Sequence, residues 1–256
     1  MSRVILKSAG DIALMRESGR IVAEVLTLVG SQIRPGVTTR DMDALAEDFI
    51  RSQGGLPAFK GYGPDRRNRF PATLCVSVDD VVVHGIPGKQ VLEEGQIVSV
   101  DVGVKKDGFY GDAARTFPVG KISEEKRRLL QVTEASLYEG IRQARAGNHL
   151  HDISAAVQRC AEAAGYGVVR DLVGHGVGKS LHEDPAVPNF GTAGTGMVLK
   201  AGMTLAIEPM VNAGTYVVQM DDDGWTVRTS DGRPSAHFEH TVVITNEEAE
   251  ILTRHG

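Results

Sequence analysis

The fold is decided by the stretch IVSVDVGVKKDGFYGDAARTF, which occupies residues 97–117. Residues 97–104 are rich in β-branched side chains, and KKDG at 105–108 is a turn signal. Residues 109–117 are therefore predicted to return as a second strand. The pattern predicts an antiparallel hairpin from which the rest of the sheet can be built.

The hairpin brings Asp101 and Asp112 to one face of the sheet. A two-residue loop at 106–107 would place them directly opposite, whereas a loop at 107–108 would make them diagonal neighbours. Like charges this close repel, so a bound cation would stabilise them. The alternative is two solvated aspartates on an exposed hairpin, because exposed acids are common.

Three further groups lie in stretches that are typical of buried strands or tight glycine turns. His175 lies between glycines in GHGVG at 174–178, and Glu208 ends an apolar strand before Pro209. Glu239 lies within another predicted strand, on the same face as His237. A buried carboxylate is costly without a cationic partner, and no Lys or Arg is interleaved with these acids.

A two-metal site is therefore predicted, and its ligands are Asp101, Asp112, His175, Glu208 and Glu239. Five groups cannot fill two metal shells separately, so two carboxylates must bridge and water must complete the coordination. Water shared by two divalent ions has a lowered pKa and can act as a hydroxide nucleophile. Mostly oxygen ligands with one imidazole suit Co, Mn, Fe(II) or Zn.

Composition limits the other classes of function. The chain has 256 residues and a formal net charge of −5, so no general attraction to nucleic acid or anionic membranes is expected. The basic run at 66–69 is interpreted as a solvated loop. Cys75 and Cys160 do not form a disulfide framework, and there is no membrane-span pattern or secretory h-region. We expect a cytoplasmic protein.

Four helices and several strands are predicted from the apolar periodicity and the capping signals. The helices run from about Asp11 to Leu28 with Ser8 as the cap, from near Thr39 to before Gly54, from after Ser123 to about Ala146, and from near Asp152 to before Gly165. Besides the hairpin, the strands are predicted at 73–78, 81–83, 168–173, 203–207, 224–229 and 237–245.

The two halves of the chain repeat one another. Two glycines and an aspartate of the first half recur in the second half, each displaced by the same number of residues. In addition, LEEG followed by Asp101 in the first half matches LKAG followed by Glu208 in the second. Coincidence among common helix-stop glycines is the alternative, but the shared order favours duplication. We predict one catalytic domain of class α+β, with pseudo-two-fold halves at roughly 10–120 and 121–250. Helices would cover the outer face of a curved antiparallel sheet.

Several motifs together resemble type I methionine aminopeptidase, and the resemblance spans essentially the whole chain. They are VHGIP at 83–87, the Asp101–Asp112 hairpin, GHGVG at 174–178, HEDP at 182–185, VPNFG at 187–191, EP at 208–209 and FEHT at 238–241. The resemblance implies the pita-bread fold, in the short bacterial form without a zinc-finger extension. It implies removal of the N-terminal methionine from nascent polypeptides whose second residue is small, at the ribosome, by a monomer.

The resemblance also implies roles for individual residues. Asp101 would bind one metal, His175 and Glu208 the other, and Asp112 and Glu239 would bridge. The catalytic groups would be His84 near the scissile amide, His182 on the substrate carbonyl, and Glu208 as proton shuttle. A merely structural hydrogen bond is the alternative for both histidines.

A methionine pocket is implied at residues matching Tyr62, Phe70, Cys75 and Trp225. A thioether prefers soft, apolar and aromatic walls. Two departures from the family pattern affect this pocket. Leu181 stands where phenylalanine is usual, and the loop 63–69 is longer than usual. His237 also replaces a frequent glutamine.

Two alternatives to this function remain open at the level of sequence. A prolidase or Xaa-Pro aminopeptidase would share the ligand set, but those enzymes usually carry a large N-terminal domain. A non-catalytic binding homologue would be expected to lose ligands, whereas all five are present here.

Overall fold

The fold combines α-helices with short antiparallel strands. The computed structural model describes residues 4–63, 65 and 67–254. The predicted loop 63–69 and the basic run 66–69 thus fall partly on residues 64 and 66, which lie outside the described residues. The helices within the described ranges are α1 (Ala9–Gln32), α2 (Thr39–Ser52), α3 (Glu124–Gln143) and α4 (Leu150–Ala163).

The strands fall into two groups along the sequence, one before α3 and one after α4. Before α3 they are β1 (Leu56–Pro57), β2 (Leu74–Val78), β3 (Val81–Val83), β4 (Ile97–Lys106) and β5 (Phe109–Pro118). After α4 they are β6 (Gly167–Val168), β7 (Gly174–Gly176), β8 (Glu183–Val187), β9 (Thr204–Ile207), β10 (Met210–Asn212), β11 (Val218–Met220), β12 (Val227–Thr229), β13 (Ser235–His237), β14 (His240–Val243) and β15 (Glu250–Ile251).

The helices begin where their capping residues predict. The Ser8 side chain accepts a hydrogen bond from the Asp11 N–H, and the Asp11 carboxylate accepts one from the Ser8 N–H, which forms a capping box. The helix α1 begins before the predicted Asp11 and extends beyond Leu28. The helix α3 ends before the predicted Ala146, because that residue instead donates its N–H to the Thr245 carbonyl.

The β4–β5 hairpin has the second of the two predicted registers. Gly103 faces Asp112, and Asp101 faces Ala114, so the two aspartates are diagonal neighbours on one face. The loop residues are Asp107 and Gly108, with φ of 48° and 86°. Two positive φ values suit the twist of a tight hairpin. The alternative register, in which Asp101 would face Asp112 directly, is therefore wrong.

Hydrogen bonding divides the strands into four antiparallel sheets rather than one. The strand β4 is paired by β5 on one side and by β1 and β2 on the other. The later strands form a five-stranded sheet in the order β15-β14-β9-β7-β8. Two three-stranded sheets, β13-β10-β6 and β11-β12-β3, complete the described framework.

Each group of helices covers its own apolar core. Residues of α1 and α2, including Leu26 and Ile50, pack against β2 and β4. Residues of α3 and α4, including Leu137 and Ile153, pack against β9, β10 and β14. Burial of one face of each helix on a sheet provides most of the stabilisation of that helix. No helix among the described residues combines the length and apolar character needed to cross a bilayer.

Several predicted strands have different bounds in the structure. Of the predicted strand 168–173 only Val168 belongs to β6, because the following residues turn toward a cavity. The predicted strand 237–245 is interrupted at 238–239, between β13 and β14. The glycine segment 174–176 is a bulged strand rather than a turn, and the strands predicted at 203–207 and 224–229 begin later.

The β4–β5 hairpin meets β14 along a contact that we call the seam. Thr241 Oγ1 accepts the Asp112 N–H at 3.1 Å and donates its own proton to the Asp112 carbonyl at 2.8 Å. The Glu239 N–H donates to the Ala114 carbonyl at 2.9 Å. These bonds fix β5, which carries Asp112, against β14 and the residue Glu239 that precedes it.

Candidate active site

A cavity of about 300 Å³ opens at the seam and gathers every residue predicted for the site. The twelve are Tyr62, Phe70, Cys75, His84, Asp101, Asp112, His175, Leu181, His182, Glu208, Trp225 and Glu239. They come from strands and loops that are distant in sequence. Only the folded chain brings them together.

The predicted metal ligands form one cluster. Ligand atoms of Asp112, His175 and Glu239 lie within 4.8 Å of one another. Glu208 Oε1 is 3.5 Å from His175 Nε2, which in turn is 3.9 Å from Asp112 Oδ2. Asp101 is close enough for its charge to raise the pKa of Asp112.

Burial raises the pKa of all four carboxyl groups of the cluster, and mutual repulsion adds to this effect for three of them. Desolvation raises the pKa of Asp101 from 3.8 to about 8. Desolvation, reinforced by neighbouring carboxylates, raises the pKa of Asp112, Glu208 and Glu239 well above the ordinary values. Among the described residues, the ion-pair partners of this cluster are histidines. Ionised together, these groups need added positive charge.

His175 is prepared to act as a neutral ligand. Burial lowers its pKa from 6.5 to about 3. Its Nδ1 lies 2.8 Å from the Gly176 carbonyl, which can only accept, so Nδ1 carries the proton. The lone pair of Nε2 therefore points toward the carboxylates. A second hydrogen bond of this kind orients metal-binding imidazoles.

The cluster fits divalent cations. Asp101 Oδ1, Asp112 Oδ1 and Glu239 Oε1 are buried without a hydrogen-bond partner among the described residues. Buried polar atoms normally have partners, so three orphaned carboxylate oxygens at one place indicate a missing cationic partner. Oxygen donors with one neutral imidazole match the preferences of first-row divalent ions.

The residues predicted for the methionine pocket line an apolar extension of the cavity. Phe70, Cys75 and Leu181 are buried in one cluster, and Trp225 packs against it. The Phe70 and Trp225 rings meet edge to face at 5.3 Å between centroids. Tyr62 stands at the rim, 40 % exposed.

Two further histidines border the cluster. Burial lowers the pKa of His84 to about 4 and also lowers that of His182. The ring of His182 lies 4.1 Å from that of His175, and its Nδ1 is 2.5 Å from the Tyr62 hydroxyl. His84 has a φ of 59°, a strained value of the kind found at functional sites. The next residue must be glycine, because a Cβ at Gly85 would lie 2.2 Å from the Val76 carbonyl oxygen.

Some lining residues were not predicted from the sequence. The cavity wall also includes Phe59, Asp171, Leu172, Val173 and Met210. Met210 follows Glu208-Pro209 closely, and residues 171–173 precede the GHGVG motif, so proximity in sequence was their only signal.

His237 is a further residue that the predicted site omitted. Its Nε2 is buried without a hydrogen-bond partner among the described residues and lies 3.9 Å from Glu208 Oε2. The alternation that placed it on the face of Glu239 was the available signal.

Buried carboxylates, a neutral imidazole and an apolar pocket in an antiparallel framework define a metal-dependent hydrolase. The chain matches the model of metallopeptidase family M24 over residues 13–246, and it belongs to that family. It is 53 % identical over 251 residues to the methionine aminopeptidase of Clostridium perfringens, and the match covers 98 % of both chains.

Solved structures support the same placement. The crystal structure of methionine aminopeptidase from Thermotoga maritima superimposes with a TM-score of 0.95 at 47 % identity, covering 98 % of this chain and all of that one. Prolidase from Pyrococcus furiosus shares the fold alone, at 22 % identity and a TM-score of 0.78, and this chain covers 66 % of it. The predicted family resemblance and the α+β pita-bread class are confirmed.

Proposed function

We propose that this protein removes N-terminal methionine from polypeptides with a small second residue, by metal-dependent hydrolysis of the first peptide bond. The main observation is that one cavity joins the carboxylate–imidazole cluster to an apolar pocket lined by Phe70, Cys75 and Leu181. That wall suits an unbranched thioether side chain. The adjacent acids suit the cations that this family of peptidases uses.

The ligands divide naturally between two divalent ions, chosen from Co, Mn, Fe(II) or Zn. Asp101 would hold one ion, His175 and Glu208 the other, and Asp112 and Glu239 would be shared. Bound ions of this kind lower the pKa of water to near neutrality and polarise carbonyl groups. The remaining chemistry falls to the side chains of the chain itself.

His182 is suited to the substrate carbonyl. The Tyr62 hydroxyl can donate to Nδ1, which leaves the Nε2 proton of a neutral ring free for an oxygen that gains negative charge. His84 lies beside Trp225, with ring centroids 6.4 Å apart. We assign it to the departing amine.

Glu208 is suited to carry the proton from water to the leaving nitrogen. Burial raises the pKa of its carboxyl group above the ordinary value, which favours acceptance of a proton from water. Its position is fixed by Asn189, whose Nδ2 donates to the Glu208 carbonyl at 3.0 Å.

Hydrolysis of defined peptides tests this function. Chelated protein would be reloaded with Mn or Co and given Met-Ala-Ser, Met-Leu-Ser and Ala-Pro-Ala. We expect rapid cleavage of Met-Ala-Ser only. Cleavage of Ala-Pro-Ala instead would favour a prolidase-like peptidase, and no cleavage of any peptide by loaded protein would favour a binding homologue. The matched control is His151→Ala, which removes a histidine that contacts Thr195 outside the cavity.

We also propose a cytoplasmic monomer that meets its substrates as they leave the ribosome. The free cysteines, Cys75 and Cys160, suit a reducing compartment. The net charge of −5 argues against binding to ribosomal RNA in general. Gel filtration and co-sedimentation with translating ribosomes would test these points.

A further inference from the structure

A buried ion pair lies behind the loop that carries two site residues. Lys7 Nζ is 2.5 Å from Glu183 Oε2, and the two side chains keep only 4 % and 10 % of their exposure. Lysine and glutamate are rarely buried this far unless paired. The loop in front of them is residues 178–182, which includes Leu181 and His182.

The pair is tied to the loop backbone at several points. The other oxygen of Glu183 accepts the Ser180 N–H at 3.1 Å. The Lys7 stem fills the space beside Gly178, where a Cβ would lie 2.4 Å from Lys7 Cε. Lys7 is itself fixed, because its N–H donates to the Gly202 carbonyl at 2.8 Å and its Nζ to the Ile5 carbonyl at 3.1 Å.

The other side of the same loop faces the cavity. Leu181 is buried in the apolar cluster, and the His182 ring contacts His175 and Tyr62. Glu183 directly follows His182 and begins β8. A displacement of Glu183 would therefore move both His182 and Leu181.

We propose that the Lys7–Glu183 ion pair is a positioning device that holds loop 178–182 in register with the cavity. Lys7 is thus a positioning residue for the hydrolysis, although it contacts no substrate. The inference rests on the proposed function for its kinetic consequence, but the effect on loop order stands independently. Removing one partner leaves the other as an uncompensated buried charge, whereas removing both leaves neither.

Four variants test this inference. Lys7→Met keeps the stem without the charge, Glu183→Gln keeps the shape, and the double variant removes both charges. Lys7→Arg preserves a cation. The matched control is Arg16→Met, which breaks an exposed ion pair with Glu250 at 2.6 Å that also joins the beginning of the chain to its end.

The readouts are the kcat and KM for Met-Ala-Ser, the cation content, and amide hydrogen exchange in residues 178–183. We expect Lys7→Met to lower kcat about 10- to 100-fold, as a misplaced catalytic group does, with unchanged cation content and faster exchange confined to the loop. Lys7→Arg and the double variant should recover part of the loss. Arg16→Met should match the wild type.

Unchanged kcat and loop exchange in both single variants would overturn the inference. So would a loss shared by Arg16→Met, or exchange that rises equally throughout the protein. Wild-type turnover is measured first. If the wild type cleaves no peptide, the proposed function fails, while the loop exchange of Lys7→Met and Glu183→Gln still decides whether the ion pair orders the loop.

Discussion

Removing the cations should make the stability of this protein fall as pH rises above neutrality. The perturbation is chelation, which leaves the four clustered carboxyl groups without positive charge. Their pKa values are raised in the fold, that of Asp101 from 3.8 to about 8. Between those two values the folded chain keeps a proton that the unfolded chain has lost, so stability is lost as pH rises through this window.

The buried histidines act in the opposite direction, but only at lower pH. The pKa values of His84, His175 and His237 are lowered from 6.5 to between about 3 and about 4 by burial. Their contribution is present above pH 6.5 and is lost as pH falls below it. The histidine contribution has nearly finished changing by about pH 7.5, so the fall in stability from about pH 7.5 to about pH 8 reports chiefly the carboxyl groups.

The magnitude follows from the number of protons retained. Each carboxyl group that keeps its proton lowers the free energy of unfolding by on the order of 1 kcal/mol per pH unit. For a chain of this size, each kcal/mol corresponds to about 2–4 °C in Tm. Asp101 alone should lower Tm by about 3 °C per pH unit, and the other three carboxyl groups should add to the same fall.

The assay is thermal unfolding of chelated and Mn-loaded protein at pH 6.5, 7, 7.5 and 8. We expect a falling Tm only in the chelated protein, because cations compete with protons for the same oxygens. Asp101→Asn should flatten the slope. Glu250→Gln, which removes an acid whose pKa is lowered by Arg16, should not. A flat or rising Tm in chelated wild type, or equal slopes with and without Mn, would refute the reasoning.

Three other substitutions have defined outcomes. His175→Ala should abolish cation binding and turnover, measured by titration calorimetry and peptide hydrolysis, and retained binding would contradict its assignment as a ligand. His182→Ala should keep the cations but lower kcat by about 100-fold or more, as loss of an oxyanion donor does; an unchanged kcat would leave it a structural residue. Gly19→Ala should destabilise the fold by about 1–3 kcal/mol in denaturant unfolding, since overpacking is costly and its Cβ would lie 2.3 Å from the Leu252 carbonyl oxygen. Gly10→Ala is the control in the same helix, with only Ser8 Oγ at 3.8 Å, and equal losses would argue against a packing effect.

The hairpin shows what the sequence could predict. Its strands alternate with a period of two, so Asp101 and Asp112 share a face in either register. The choice between registers depended on the backbone of Asp107 and Gly108, since both adopt positive φ. Asp-Gly is the stronger signal for such a loop, which accounts for the observed pairing.

The segments whose secondary structure was predicted wrongly are those in which tertiary contacts override the local hydrophobic pattern. The predicted strand 168–173 contains the apolar Val169, Leu172 and Val173, yet residues 171–173 border the cavity instead of extending β6. The strand predicted at 237–245 breaks because Phe238 enters the core beneath α3 while the Glu239 N–H reaches Ala114. Neither contact can be inferred from residues near in sequence.

The seam has a consequence for how the protein unfolds. Asp112 and Glu239 approach the same point from segments separated by more than a hundred residues. A cation held between them acts as a reversible crosslink that closes a very long loop, much as a disulfide would. Chelators should therefore first loosen the β4–β5 hairpin from β14 along the seam, while the helices keep covering their separate cores.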